Sequence, residues 1–198
     1  MTDHFAPAAD RNKIPISKML ESFLPSHGSI LELASGTGQH VHFFAKKFST
    51  LDWQPSDMDS CHFEHINTLR ERQQLANCKE PIILDTREPN WPTLRCDAIY
   101  CANMIHISPW TSTEGLFQHS TKLLETKQPL ILYGPFLFAD KPTAASNIQF
   151  DQSLKQRNPL WGLRSFEKLE KVAEKFQFRC QDIVEMPANN HSLVFEKI

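Results

Sequence analysis

Several features are missing from this sequence, and each absence excludes a class of protein. No apolar stretch approaches the roughly 20 residues that cross a bilayer, so we expect no membrane partner. No run of basic residues stands out and the formal net charge is -2, which argues against a nucleic-acid partner. Residues 1–10 contain neither a basic region nor an apolar segment, so we expect no secretory signal.

Cysteine pairs at the spacing of a metal or redox site are also missing. The five cysteines are irregularly spaced and form no CxxC motif, so the sequence predicts neither a zinc site nor a disulfide framework. We therefore expect five reduced thiols in a cytoplasmic protein that holds no metal. These thiols are Cys61, Cys78, Cys96, Cys101 and Cys180.

The residues that are present predict one α/β domain spanning residues 1–198. Periodicity predicts strands that alternate with helices, which is typical of a mainly parallel sheet. The last two predicted strands, 178–185 and 192–197, are joined by a short turn and must be antiparallel neighbours. We predict a Rossmann-like, seven-stranded, mostly parallel sheet that ends in an antiparallel hairpin, with helices on both faces. The first helix is predicted at 14–24, and Ser165 is predicted to cap the last one.

The strongest local signal is the segment Ile30-Leu-Glu-Leu-Ala-Ser-Gly-Thr-Gly38, where a strand leads through a glycine turn into a helix. Glycine allows a ligand to approach bare peptide groups, and a helix N-terminus offers N–H donors to a carboxylate or phosphate. This signal alone is weak because many α/β folds turn in this way. A tight packing turn therefore stays an alternative interpretation.

Acidic residues at the ends of the next two predicted strands strengthen the interpretation. Asp57 lies 19 residues after Gly38 (57 − 38 = 19), and an acid about 20 residues on is where a ribose diol is held. Asp85 ends the third predicted strand, at the sheet edge where open α/β sheets bind ligands. Each acid alone is more often a turn or capping residue, and Asp59 is an alternative to Asp57. Together with the glycine turn they predict a nucleoside-shaped cleft.

The string Glu32-Leu-Ala-Ser-Gly-Thr-Gly38 resembles motif I of the class I S-adenosylmethionine-dependent methyltransferases, whose sheet also ends in an antiparallel hairpin. One position departs from the family pattern, because Ala34 replaces the first glycine of the triplet. Alanine fits there if the backbone stays in an ordinary dihedral region. The resemblance implies that Glu32 and the turn at 36–38 face the amino-acid end of S-adenosylmethionine.

The same resemblance assigns the other end of the cofactor. It implies that Asp57 takes the ribose hydroxyls and that Asp85 and Thr86 lie near the adenine. The full set of implied cofactor residues is Glu32, Ala34, Ser35, Gly36, Gly38, Asp57, Met58, Asp85, Thr86 and Asn103.

A closer resemblance is to the methyltransferase-like protein 26 family, and it extends over almost the whole chain. The resembling strings begin with Ala9-Asp-Arg-Asn-Lys13, Ala34-Ser-Gly-Thr-Gly-Gln-His40 and Trp53-Gln-Pro-Ser-Asp57. They continue with Asn103-Met-Ile-His-Ile-Ser-Pro-Trp110, Tyr133-Gly-Pro-Phe136, Ser146-Asn147, Phe150-Asp151 and Met186-Pro-Ala-Asn-Asn190.

The methyl acceptor is expected to contact the end of the fourth predicted strand. Methyl transfer from a sulfonium is an in-line displacement that needs an aligned nucleophile, and a base only if the acceptor must lose a proton. His106 has the pKa range of a general base, although a hydrogen-bonded core histidine is an equal alternative. Tyr133 and Asp151 are the other catalytic candidates.

The segment 134–164 is too long for a simple connection, and its aromatic residues argue against disorder. We expect it to cap the acceptor pocket, with a packing excursion as the alternative. Residues 1–25 are expected to form an N-terminal helix or lid. The acceptor is expected to be a small molecule, bound by a monomer or homodimer. The candidate substrate-binding residues are Arg11, Asn12, Lys13, His106, Trp110, Asn147, Trp161, Arg164, Asn189 and Asn190.

Two other functions compete with a methyltransferase. An NAD-dependent oxidoreductase shares the glycine turn and the acid, but it normally carries a fuller GxGxxG motif. A non-catalytic module that binds the cofactor or a partner protein is the second alternative, because fold does not imply activity. A polar pocket beside the cofactor favours the enzyme, whereas a pocket plugged by aromatic side chains of the cap favours the module.

Overall fold

A computed structural model describes residues 5–198, and a seven-stranded sheet with the order β3-β2-β1-β4-β5-β9-β8 forms its centre. Strands β1 to β5 pair in parallel, whereas β9 is antiparallel to both β5 and β8. The predicted sheet and its closing hairpin are therefore confirmed. The nine strands are β1 (Gly28–Leu33), β2 (Leu51–Asp57), β3 (Ile82–Ile83), β4 (Ala98–Ala102), β5 (Pro129–Gly134), β6 (Phe136–Leu137), β7 (Arg164–Ser165), β8 (Phe178–Met186) and β9 (Asn190–Lys197).

Helices cover both faces of this sheet and bury two separate apolar cores. One core joins the sheet to α1 and α2, and the other joins it to α4 and α6. Strands β6 and β7 form a small parallel pair outside the main sheet. The helices are α1 (Pro7–Leu20), α2 (Gln39–Lys47), α3 (Phe63–Arg72), α4 (Trp110–Leu123), α5 (Ala145–Arg157) and α6 (Phe166–Lys175).

Helix α1 begins earlier than predicted and also ends earlier. It starts at Pro7, where the missing N–H of proline leaves no intrahelical hydrogen bond unmade. Pro15 lies inside the helix, where it removes one hydrogen bond, and the burial of Ile16 and Leu20 offsets that loss. The segment 11–13 therefore belongs to the helix and does not precede it, so its side chains are fixed by helical geometry.

The order of the strands creates a crevice at their carboxyl ends. Strand β1 pairs with β2 on one side and with β4 on the other. The helix that follows β1 covers one face of the sheet, whereas the helix that follows β4 covers the opposite face. The loops after β1 and β4 therefore lead to opposite faces of the sheet and leave a crevice between them. Ligands of open α/β sheets bind at such points, where the direction of the strand order reverses.

Three sequence-based expectations concern what the chain lacks. All five cysteines are free. Within residues 5–198, no group of histidine, cysteine or acidic side chains could hold a metal ion. No helix in that range is long and apolar enough to cross a membrane.

Candidate functional site

The loop after β1 turns back through left-handed backbone at three positions. Gly36 and Gly38 have φ values of 52° and 77°. Ala34 has a φ of 54°, so the condition under which alanine fits here, an ordinary backbone dihedral, is not met. An alanine in this region costs about 1–2 kcal/mol because its Cβ crowds the carbonyl oxygen. The turn keeps the shape of a glycine-rich loop in spite of that substitution.

Asp57 fixes this loop from the end of β2. Its Oδ2 accepts the N–H of Gly36 at 3.0 Å, and the N–H of Ser35 donates to the carbonyl of Ser56 at 2.9 Å. Asp59, the alternative acid, is exposed and accepts the N–H of Cys61. Of the two acids, Asp57 is the one beside the loop.

A cavity of about 400 Å³ opens beside the loop and Asp57. Its volume lies within the range of small-molecule sites, and most of its wall is apolar with acidic groups at its edge. Its wall includes seven of the predicted site residues: Ala34, Gly36, Asp57, Met58, Asp85, Thr86 and Trp161. Nine lining residues were not predicted: Leu33, Leu84, Arg87, Met104, Ile107, Ser108, Pro109, Ser112 and Asn158. The shape and chemistry suit a nucleoside.

Asp85 and Thr86 form the end of the cavity near β3. The guanidinium and the backbone N–H of Arg87 both donate hydrogen bonds to the Asp85 side chain, and this contact lowers the pKa of that carboxyl group. Behind Thr86 lies Gly115 of α4, where an added Cβ would be 1.9 Å from the Thr86 carbonyl oxygen. Glycine inside a helix costs up to about 1 kcal/mol of stability relative to alanine. A glycine within the predicted helix 113–124 is therefore the sequence signal that could have identified Gly115.

Glu32 lies under the loop and does not line the cavity. It is 2% exposed, and its Oε2 makes no hydrogen bond with the described part of the chain. Burial raises the pKa of its carboxyl group to about 8, with the negative charge of Asp57 adding to the effect. A buried carboxylate oxygen without a hydrogen bond suits a cationic group, because a positive charge would restore the ionised form of the carboxyl group.

Asn103 and His106 follow β4 and pack against the end of β5. Asn103 adopts a left-handed φ of 61° and donates its N–H to the Tyr133 carbonyl at 2.8 Å. His106 is completely buried, and neither ring nitrogen has a hydrogen bond of ordinary geometry to the described chain. Burial and the nearby Arg164 guanidinium lower its pKa to about 3, so the imidazole is neutral. An added Cβ at Gly134 would lie 2.4 Å from His106 Nε2, so glycine permits this packing.

A hydrogen-bonded chain connects Tyr133 to helix α1. The Tyr133 hydroxyl bonds the Asn12 side chain, and Asn12 Oδ1 lies 2.7 Å from His40 Nε2. The hydroxyl of Tyr100 lies 3.3 Å from the other ring nitrogen of His40. Burial lowers the pKa of His40 to about 4, so it is neutral here. Sequence reasoning missed His40, whose one signal is a polar residue at a buried position of α2.

The remaining two residues of segment 11–13 lie apart from the cavity. Arg11 is exposed on α1. Lys13 pairs with Asp10, and its ammonium group lies 5.4 Å from the centre of the Phe43 ring.

Asp151 and Arg164 hold the segment 134–164, here called the cap, and neither lines the cavity. Asp151 accepts the N–H of Leu163 at 2.8 Å and pairs with Lys155. Arg164 donates to the carbonyl of Ile105 at 2.7 Å and to that of Ser108 at 2.6 Å. Both side chains thus position backbone, whereas the sequence suggested catalysis and substrate binding. Trp110 packs 5.7 Å from the Arg164 guanidinium.

A second cavity, of about 350 Å³, lies between the cap and the turn of the β8–β9 hairpin. It contains three predicted substrate residues, Asn147, Asn189 and Asn190. The predicted substrate residues are therefore divided among helix α1, the first cavity, the second cavity and the contacts that hold the cap. The wall of this cavity also includes Phe136, Phe138, Lys141, Thr143, Glu185 and His191.

Comparison with known proteins identifies a family and a shared fold. A family model described as "Protein of unknown function (DUF938)" matches residues 3–197. The mitomycin 7-O-methyltransferase MmcR has a similar structure at 14% identity and a TM-score of 0.76, with 94% of this chain and 54% of that chain covered. At such identity the likeness concerns the fold.

Two further structures agree. CalO1, a methyltransferase in calicheamicin biosynthesis solved with SAH bound, gives 11% identity and a TM-score of 0.79, covering 96% of this chain and 54% of that chain. An O-methyltransferase family 2 protein from Planctomyces limnophilus, in complex with apigenin, gives 15% identity and a TM-score of 0.74, covering 100% and 63%. The chain thus spans little more than half the length of these proteins.

Proposed function

Because the chain belongs to the family described as a protein of unknown function (DUF938), which leaves its activity open, we propose that it is an S-adenosylmethionine-dependent methyltransferase with a small-molecule acceptor. One observation carries the proposal: a single cavity combines the glycine turn and Asp57 with Asp85 and Thr86. This is the arrangement that a nucleoside cofactor requires at the edge of an open α/β sheet.

The residues present fit the cofactor. Asp57 would accept hydrogen bonds from the ribose hydroxyls, and Asp85 with Thr86 would face the adenine between Leu84 and Ile107. Glu32 lies beneath the glycine turn with Oε2 free of hydrogen bonds to the described chain, and its charge would suit the ammonium group of the amino-acid end. When bound, the sulfonium supplies an electrophilic methyl group, and the protein needs mainly to align the acceptor with it.

The neutral state of His106 defines what it can contribute. A pKa of about 3 makes it a weak base near neutral pH, so we do not assign it proton removal. Because it is completely buried, we assign it a positioning role through its contact with Phe136. Asn103 Oδ1 lies on the same side of Gly134 as His106 Nε2. Tyr133 precedes Gly134, the last residue of β5, and its hydroxyl bonds Asn12. We propose that Asn103, His106 and Tyr133 position the reacting groups.

The solved structures support the same function. One of the similar methyltransferases was solved with SAH bound, and another was solved with the small molecule apigenin. We propose that this chain likewise binds S-adenosylhomocysteine and a small molecule. We also propose that it is related to the methyltransferase-like protein 26 family, which its sequence resembles.

The second cavity favours an enzyme over a non-catalytic module. It stays open at about 350 Å³ and carries several polar side chains, although aromatic residues of the cap contribute to its wall. A module that only bound the cofactor would have no need of a polar cavity beside its site.

Calorimetric titration tests the proposal. We expect S-adenosylmethionine and S-adenosylhomocysteine to bind in the micromolar range and NAD not to bind. Asp57→Asn should weaken binding by about tenfold or more, since it exchanges the ionised acceptor for a neutral amide. Asp59→Asn is the matched control, because Asp59 lies outside the cavity, and it should leave the affinity unchanged. Preference for NAD, or equal binding by wild type and Asp57→Asn, would contradict the proposal.

A further inference from the structure

We infer that the second cavity is the acceptor pocket, and that it takes a neutral aromatic molecule carrying a hydroxyl or N–H group. This inference rests on the methyltransferase function proposed above. It names a class of acceptor, which neither the family description nor the similar structures supply for this chain.

The position of the cavity suits the acceptor. Its wall includes Phe136, whose ring lies 5.1 Å from the ring of His106 in an edge-to-face contact. Another wall residue, His191, pairs with Gly134 at the carboxyl end of β5. The turn that contains His106 also contributes Met104 to the cofactor cavity. The two cavities therefore border the same turn from different sides.

The apolar part of the wall is aromatic and fixed. Phe138 lies 4.6 Å from the ring of His191 and stacks 5.6 Å from the ring of Phe166. Phe136 is 3% exposed and held against His106. Two rings that cannot easily move favour a flat ligand, because aromatic pairs gain most from stacked or edge-to-face geometry.

Two side-chain oxygens in the polar part of the wall can accept hydrogen bonds from a ligand. Asn147 donates its amide NH₂ to the Asn189 carbonyl at 2.9 Å, and Asn190 donates to the Pro187 carbonyl at 3.0 Å. Because a carbonyl can only accept, these contacts fix which amide atom is nitrogen. No group of the described chain donates to Oδ1 of Asn147 or Asn190. A ligand that bonds these oxygens brings O–H or N–H groups.

The charges at the rim cancel. Lys141 and Glu185 form an ion pair of 3.6 Å across exposed side chains. Burial and the charge of Lys141 lower the pKa of His191, so this ring is neutral near pH 7. A carboxylate or phosphate would meet no unpaired cation among the described lining residues. The pocket therefore favours a neutral acceptor.

The reaction balances without a further reagent. A lone pair on the acceptor oxygen or nitrogen forms the new bond to the methyl carbon as the bond from sulfur to that carbon breaks. The sulfonium becomes a neutral thioether, and the proton of the acceptor leaves to water.

Ligand-observed NMR with three probes of equal ring size tests the inference. Resorcinol offers two hydroxyl donors, 1,3-dimethoxybenzene has the same ring without donors, and benzoate carries a charge. We expect resorcinol to bind at millimolar concentration, and the other two probes to bind about tenfold more weakly or not at all. Binding of 1,3-dimethoxybenzene or benzoate equal to that of resorcinol would overturn the inference, as would no binding of resorcinol.

Two variants locate the binding. Thr143→Trp fills the cavity from its wall and should abolish resorcinol binding, whereas Thr93→Trp, on an exposed segment outside the cavity, should not. Resorcinol binding that survives Thr143→Trp would reject this pocket. Titration of each preparation with S-adenosylhomocysteine reports the cofactor site separately. Loss of the probe pattern with intact cofactor binding would refute the acceptor class alone, whereas absent cofactor binding would refute the proposed function.

Discussion

Oδ1 of Asn12 lies 2.7 Å from Nε2 of His40, and this contact joins helix α1 to helix α2 beneath the site. Since His40 is 8% exposed, its ring nitrogen has little access to water as a substitute partner. We expect Asn12→Ala to lower the free energy of unfolding by about 1–3 kcal/mol, because a buried N–H loses its acceptor. Urea denaturation followed by circular dichroism measures the change.

The neighbouring Arg11 supplies the control for this prediction. Its side chain is exposed, so Arg11→Ala should change the free energy of unfolding by no more than about 0.5 kcal/mol. Equal effects of the two substitutions would mean that the contact with His40 adds nothing.

Ionisation of the buried Glu32 should lower the free energy of unfolding as the pH rises. The folded pKa of Glu32, about 8, lies above the ordinary glutamate value of 4.5, so the folded state holds a proton that the unfolded state has lost. The stability it contributes is complete below pH 4.5 and is lost as the pH rises through 8. Between these values the free energy of unfolding should fall by at most about 1.4 kcal/mol per pH unit.

Comparison of wild type with Glu32→Gln between pH 7 and 8 isolates this effect. The window lies above the ordinary pKa of histidine, so the buried histidines change little within it. The variant should lose the slope, whereas Glu64→Gln, at an exposed position of α3, should keep it. Parallel curves for wild type and Glu32→Gln would show that Glu32 ionises normally.

Ala34→Gly should stabilise the protein. Its left-handed φ of 54° strains alanine but not glycine, so we expect the free energy of unfolding to rise by about 1 kcal/mol. Ala45→Gly, within helix α2, should have the opposite effect because glycine weakens a helix. Thermal and urea unfolding of both variants measure the difference. Destabilisation by Ala34→Gly would imply that Ala34 keeps an ordinary dihedral in solution.

Gly115→Ala should damage the cofactor site. In an exposed helix this substitution stabilises by about 1 kcal/mol, but here the new Cβ would lie 1.9 Å from the Thr86 carbonyl oxygen. Helix α4 or the segment at Thr86 must then move, and binding of S-adenosylhomocysteine should weaken by about tenfold. The exposed Gln118 on the same helix provides the control substitution, Gln118→Ala. Unchanged affinity in Gly115→Ala would show that the segment moves freely.

Much of the fold was predictable because its signals are local. The segment 30–38 predicts a strand, a turn and the start of a helix in consecutive residues. Ser165 was predicted to cap the last helix, and its Oγ accepts the N–H of Lys168 at 3.3 Å. The short turn before residue 190 dictated an antiparallel hairpin. Helix α1 was misplaced because Pro15 disfavours a helix interior, and only packing against distant parts of the chain overrides that preference.

The site was less predictable because it depends on contacts between distant residues. Asp57 and Asp85 reach the cavity because parallel strands end at one edge, a rule that sequence spacing carries. The roles of Asp151 and Arg164 could not be read in this way. Arg164 bonds the carbonyl of Ile105, which lies 59 residues earlier in the chain, and no local pattern indicates such a partner.

The place of β9 in the sheet has a consequence for synthesis on the ribosome. This strand is the last of the sheet to be made, yet it lies between β5 and β8. Until residues 190–197 emerge, β5 has an unpaired edge and β8 has no neighbour in the sheet. Exposed strand edges of this kind are where nascent chains aggregate. The nascent chain therefore depends on rapid arrival of β9, or on chaperones that shield β5 until it arrives.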